Sequence, residues 1–226
     1  MNAGADNLDR AIELSEAALA GTAADGPDRP SLLNNLGNAL RTRYEARGAA
    51  GALDLVIELF EAALAGTAAD SPDRPATLSN LGSLLQTRHE VRGAAGDLDR
   101  AIEFFEAVLA GTAADSPERP ARLTNLGTAL FRRYEARGAA GDLDRAIELF
   151  EAALAGTAAD SPDRPGRFNN LGNALFRRYQ ARRVDGDLDR AIELWQQALL
   201  LLPEGSPDSK AIRHNLGRGL IPRLSD

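Results

Sequence analysis

A period of 45 residues governs this chain. Asp9, Asp54, Asp99, Asp144 and Asp189 stand 45 apart, and each opens a version of DRAIELFEAAL. The triplet NLG recurs at the same spacing, at Asn35, Asn80, Asn125, Asn170 and Asn215. Residues 99–143 and 144–188 differ at 11 of 45 positions, so 34 are identical. Likeness on that scale means recent duplication or deliberate design. A fixed period of this length marks a repeat architecture, in which each repeat buries its apolar face only against its neighbours.

Each repeat holds two helical patterns and no strand pattern. One runs from about Leu98 to Leu109, where Ile102, Phe105 and Leu109 share a helical face. Asp97 after Gly96 predicts an N-cap, and Gly111 predicts a C-terminal cap. The other runs from about Arg119 to Arg137, with Leu123, Leu126, Leu130 and Tyr134 as its stripe and Gly138 as its stop. Ser116, Pro117 and Pro120 crowd its start, where prolines are cheap. Ten antiparallel helices of two alternating kinds follow. They read as one all-α array, an α-solenoid of stacked helix pairs over residues 1–226, with repeats starting near 9, 54, 99, 144 and 189. Of the 11 aromatics, nine fall in three columns: Phe60, Phe105, Phe150 and Trp195; Tyr44, Tyr134 and Tyr179; Phe131 and Phe176.

Composition narrows the function classes. Without cysteine there are no disulfides, thiolate metal sites or cysteine nucleophiles. The net charge of −7 argues against a nucleic-acid partner. No apolar run reaches ~18 residues, so no membrane span is expected. The start MNAGADNLDR lacks the basic and apolar regions of a signal peptide, and the expected location is cytoplasmic. His89 and His214 lie about three repeats apart and cannot share a zinc ion; His89 occupies the Tyr44 column, which points to packing. No phosphate loop, nucleophile elbow or paired-acid motif is present, so neither a cofactor, a metal nor a catalytic residue is expected. The GDLDR carboxylates recur in every repeat, the mark of a cap rather than an active site. The RTRYEAR stretches interleave acids, which reads as a solvated face rather than an RNA patch.

The residues also carry a family resemblance. In LDRAIELWQQALLLLP, from Leu188 to Pro203, the positions of Ala191, Trp195, Ala198 and Pro203 resemble the second helix of a tetratricopeptide repeat. LNNLGNAL, from Leu33 to Leu40, resembles the first helix, with Leu36, Gly37 and Leu40 at its signature positions. Gly37 and Ala198 would let helices approach closely, with Trp195 filling the space between them. The usual repeat has about 34 residues. The 11 extra ones here fall after the first helix and in the loop before the next proline pair. Such long repeats resemble arrays fused to bacterial caspase-like proteases and signalling ATPases. The resemblance implies a right-handed superhelix and a non-enzymatic scaffold whose first helices line a concave groove for a peptide or protein segment.

By that analogy three columns face the groove. The first is Asn34, Ser79, Thr124, Asn169 and His214; the second is Asn38, Ser83, Thr128, Asn173 and Arg218. They lie four residues apart, on one helical face. The third holds Arg41, Gln86, Phe131, Phe176 and Ile221. With Arg132 and Arg177, the later residues make the groove basic and aromatic, suited to an acidic segment with apolar anchors. The other reading is of solvated arginines and of phenylalanines packed between repeats. The family's carboxylate clamp needs lysines on these columns, and Lys210 is the only lysine here.

The chain opens in a second-kind helix and closes in a first-kind one over 207–224, which reads as a cap because Arg213 replaces Leu or Phe. Pro222 should stop it near Ile221. Leu8, Ile12 and Leu19 keep the internal pattern, as in an array that starts mid-repeat. Complementary ends suggest the alternative function, a structural array, natural or designed, that joins itself head to tail.

Overall fold

The computed structural model describes residues 3–48, 51–94 and 96–223. Those residues form α-helices without strands. First-kind helices are α2 (Arg29–Arg47), α4 (Arg74–Arg92), α6 (Arg119–Arg137), α8 (Arg164–Arg182) and α10 (Asp208–Arg223). Second-kind helices are α1 (Ala3–Ala20), α3 (Ala52–Gly66), α5 (Asp97–Ala110), α7 (Ala140–Ala155) and α9 (Asp187–Leu201). The expected bounds of α5 and α6 hold to within one residue. α10 runs to Arg223, two residues past the expected stop, because a proline in a last turn removes only one hydrogen bond. Position 224 lies outside the described residues.

Helix contacts group Met1–Val108 and Leu109–Asp226 into two compact units. In the first, α2 packs on α1 and α3, and α3 packs on α4. In the second, each of α6 to α9 packs on the helix that follows it. Neighbours run antiparallel. Arg47 at the end of α2 reaches Asp9 near the start of α1, and Pro30 at the start of α2 lies against Gly66 at the end of α3.

One contact recurs in four repeats. A Cβ built on Gly37 would come within 2.9 Å of Phe60, and one on Gly82 within 2.6 Å of Phe105. The same holds at 2.8 Å for Gly127 against Phe150 and at 2.8 Å for Gly172 against Trp195. In each case the three nearest atoms are neighbours in one ring, with distances that agree within 0.4 Å. Only an approach to the ring's face gives that pattern. The glycine is therefore required by space, not by backbone angle. Phe60 and Trp195 are fully buried, and Phe105 is 2% exposed. Trp195 also reaches Gly219 on α10, a position held by Ala39, Leu84, Ala129 and Ala174 in the other repeats. The larger ring is thus matched by a smaller neighbour. Its indole nitrogen, set over Gly172, has no hydrogen-bond partner among the described residues.

The first-kind helices end where left-handed geometry is cheapest. Gly48, Gly93 and Gly138 have φ of 66°, 68° and 72°, and each donates its N–H to a carbonyl one turn back. In the fourth repeat that place is Arg183, with φ 52° and its guanidinium 4.8 Å from the Tyr179 ring centre. The second-kind helices end differently. Gly156 has φ −81°, and Cβ atoms on Gly66 and Gly156 would meet Pro30 and Pro120 at 2.9 and 3.0 Å. Gly66 and Gly156 therefore make room for the proline of the adjacent first-kind helix, and Gly156 caps α7 without left-handed geometry, its N–H donating to the Ala152 carbonyl. Arginine satisfies the exposed carbonyls instead: Arg29, Arg74, Arg119 and Arg164 donate to the carbonyls of Thr22, Thr67, Thr112 and Thr157.

The GDLDR acids also depart from their expected role. Asp97 and Asp187 are buried in the first turns of α5 and α9. Gly186, not an aspartate, is the α9 cap residue, and no side chain caps that helix. Asp97 instead receives two hydrogen bonds from Arg88, at 2.8 and 2.7 Å. Arg133 binds Asp142, and Arg178 binds Asp187, in the same bidentate way. Each pair ties the end of a first-kind helix to the start of the next helix. A second layer adds Arg47 to Asp9, Arg92 to Asp54 and Arg182 to Asp144. Hydrogen bonds from Arg47 and Arg92 hold the Asp9 and Asp54 carboxyls below their ordinary values. What those two groups add to stability is present above about pH 4 and is lost as pH falls through their lowered values.

Two substitutions test this packing. Phe105→Ala should destabilise the protein by about 3–5 kcal/mol, and Gly82→Ala by about 1–3 kcal/mol through overpacking, both read from urea unfolding. A loss under about 1 kcal/mol for Phe105→Ala would mean that the helix faces are misassigned. Arg183→Gly should stabilise by about 0.5–1 kcal/mol, since relief of left-handed strain exceeds the loss of the exposed Tyr179 contact.

Candidate functional site

The first-kind helices present their polar columns to two cavities, one in each unit. The cavity of the first unit encloses about 210 Å³ between α2 and α4. Its wall includes Asn34, Asn35, Asn38, Asp73, Thr77 and Asn80. The cavity of the second unit encloses about 230 Å³ and is lined by Phe131, Glu135, Asn173, Phe176, Arg177, Asn215 and Arg218. Five of these seven come from the columns and arginines singled out in the sequence.

Not every expected residue keeps its side chain for a ligand. The first column largely ties neighbouring helices together. The Asn34 amide donates to Thr77 at 3.0 Å, and Asn169 accepts from Asn215 at 3.0 Å. Thr124 donates within its own helix to the Pro120 carbonyl, and Ser83 likewise to Ser79. Ser79 and Thr128 are half-buried, and His214 is exposed, away from both cavity walls. Arg41 donates to Asn80 at 3.3 Å, while its Nε is buried without a hydrogen bond among the described residues. Gln86 is buried.

Asn38 and Asn173 differ from these. Both are half-buried on cavity walls, and among the described residues neither side chain makes a hydrogen bond. Their amides can donate to and accept from an entering peptide backbone.

In the second unit several of the cations and rings are already engaged within the fold. Arg177 is held by Glu135, with Nε at 3.1 Å and Nη2 at 2.5 Å. Phe176 is 4% exposed and meets Trp195 edge to face, with ring centres 5.6 Å apart. It forms floor more than anchor. Phe131 stays half-exposed on the wall. Arg132 is not on the wall; burial lowers its guanidinium's proton affinity, against a rise from Glu135. Arg218 is exposed and stacks at 5.4 Å over the Phe176 ring. No carboxylate lies within ion-pair distance of it among the described residues.

Two kinds of wall residue escaped the sequence reading. Asn35, Asn80 and Asn215 line cavities or bond across helices, yet their triplet served only to mark the period. A polar residue kept in all five repeats was the available signal. Glu135 was hidden by its Arg-rich stretch, and only the fold places it beside Arg177, 42 residues on. His89 is half-buried, with Nδ1 2.9 Å from the Ala94 carbonyl. Among the described residues, no cluster of three His, Cys, Asp or Glu could hold a metal, and no helix is long and apolar enough to cross a membrane.

Comparison with known proteins agrees with the geometry. A search of curated proteins finds no match. Solved structures do match. A kinesin-light-chain-like protein of Podosopora anserina with nearly identical TPR-like repeats has 24% identity, over 88% of this chain and 89% of that one, with a TM-score of 0.60. BtubC of P. vanneervenii has 24% identity over 95% and 80%, with a TM-score of 0.58. YrrB, a TPR protein with an unusual peptide-binding site, has 19% over 90% and 82%, with a TM-score of 0.54. At such identities these structures speak for the fold alone. The family model for the tetratricopeptide repeat matches residues 31–73, 76–118 and 121–163, more than half of the chain. The chain belongs to the tetratricopeptide repeat family.

Proposed function

We propose that this protein is a non-enzymatic scaffold that holds an extended acidic segment of a partner protein against its first-kind helices. The observation that carries this is the second unit's cavity. There the Asn173 amide and the Arg218 guanidinium, neither with a hydrogen-bond or ion-pair partner among the described residues, line one cavity with the half-exposed ring of Phe131. An amide fixes a peptide backbone, a guanidinium selects a carboxylate, and a ring takes an apolar side chain. The family supports the scaffold class, and the fold carries a peptide-binding site in YrrB.

The specificity is narrower than a generally basic groove. Arg177 is already neutralised by Glu135, so Arg218 is the charge that discriminates. The cavity of the first unit carries Asp73 and amides but no arginine, and would hold backbone without selecting acid.

Two peptides of matched length test this, one with Glu flanking a Trp and one with Lys in place of Glu. The acidic peptide should bind, and the basic one at least about tenfold more weakly. Arg218→Glu should invert that order, and Asn173→Ala should weaken both. Equal binding of the two peptides, or an unchanged preference in Arg218→Glu, would overturn the proposal.

A further inference from the structure

Arg43, Arg88, Arg133 and Arg178 hold one place on successive first-kind helices. Three of them grip the aspartate nine residues on. Arg88, Arg133 and Arg178 bind Asp97, Asp142 and Asp187 through Nε and Nη2, at 2.7–2.9 Å. Asp97 and Asp187 are 4% and 5% exposed, so the carboxylate sits in a covered seat. Nine residues after Arg43 stands Ala52, which keeps the Cβ of aspartate and lacks its carboxylate. The Arg43 side chain is accordingly 37% exposed, against 22–25% for the other three.

Asp9 does not fill this seat. Its two carboxylate oxygens accept from Arg47 at 3.1 and 2.9 Å, and it lies 4.0 Å from Arg43. Its counterparts Asp54 and Asp144 approach Arg88 and Arg178 at 3.3 and 3.6 Å with Asp97 and Asp187 also in place. The Asp9 position is thus a flank of the seat. Among the described residues Arg43 has no other ion pair. The difference lies in the identity of residue 52, since α2 packs on both α1 and α3.

We infer that Arg43 binds a carboxylate supplied from outside the chain, in the seat that Asp97, Asp142 and Asp187 fill in the later repeats. A planar guanidinium with two parallel donors suits a carboxylate better than a spherical anion. The bound group joins the end of α2 to the start of α3, as Asp97 joins α4 to α5. The ligand is a free small acid or an acidic side chain of a partner.

Formate matches the missing group and is the probe. It is titrated into the full chain at constant ionic strength, with chloride as the exchanged anion, and the arginine Nε–Hε signals are followed by NMR. The Arg43 signal, identified by its loss in Arg43→Gln, should move saturably, with a midpoint on the order of 10 mM. Formate should also raise the melting temperature relative to chloride, because it binds the folded state. Ala52→Asp should raise the melting temperature by itself and abolish the Arg43 response. Asp97→Ala should open a second seat and make the Arg88 signal respond to formate. Arg218→Glu should leave the Arg43 response unchanged, which separates this seat from the peptide cavity. N-acetyl-aspartate methylamide distinguishes the sources. A midpoint at least about tenfold below that of formate assigns the seat to a partner's side chain, and an equal or higher one to a free acid. An Arg43 signal that moves no further with formate than with chloride would overturn the inference. So would a response that survives in Ala52→Asp.

Discussion

The face of an aromatic ring pressed against a glycine sets the spacing within each repeat. It decides how near a second-kind helix comes to its first-kind partner. Cβ approaches of 2.6–2.9 Å leave no room for any other residue. Close approach in turn covers the leucines on either side, such as Leu81 and Leu85, which are fully buried. An array built this way needs few aromatics, because each is placed where it fixes a helix pair. Where the ring grows, as at Trp195, the next helix shrinks to Gly219.

The polar chemistry is mostly used inside the fold. Arginines cap second-kind helices through threonine carbonyls and join successive helices through Asp97, Asp142 and Asp187. Many exposed-looking charges of the RTRYEAR stretches are therefore structural, and the net charge says little about the ligand. Among the described residues of the two cavity walls, those left for recognition include the Asn38 and Asn173 amides, the half-exposed Phe131 ring and the stacked Arg218. Where a repeat breaks the pattern, local consequences follow. At position 52 an alanine stands where Asp97 stands one repeat later, and Arg43 reaches only to Asp9, at 4.0 Å.

Helix number, kind and bounds were legible in the sequence because apolar periodicity and the glycine stops repeat in register. The closeness of Gly37 to an aromatic was legible too, as a small residue opposite a large one. The crowding of Gly66 and Gly156 by prolines was not, because a glycine after a helix reads only as a cap until the facing proline is known. Asp97 misled in the same manner: an aspartate at a helix start reads as a cap until Arg88, nine residues earlier, is seen to fold back on it. For the groove, the sequence columns held four of seven wall residues in the second unit, and Arg177 made a fifth. They could not tell which side chains were already engaged. Asn34 and Asn38 look alike in sequence, and only the Asn34 bond to Thr77 separates them.

Proton chemical shifts of the glycine α-hydrogens test the central claim most directly. A hydrogen held over an aromatic face is shielded by the ring current. Gly37, Gly82, Gly127 and Gly172 should each show one α-hydrogen far upfield of its ordinary position. Gly217, where a Cβ would meet nothing within 4 Å, should show none. Four unshifted glycines, or a Gly217 shielded like the rest in the protein alone, would contradict the account.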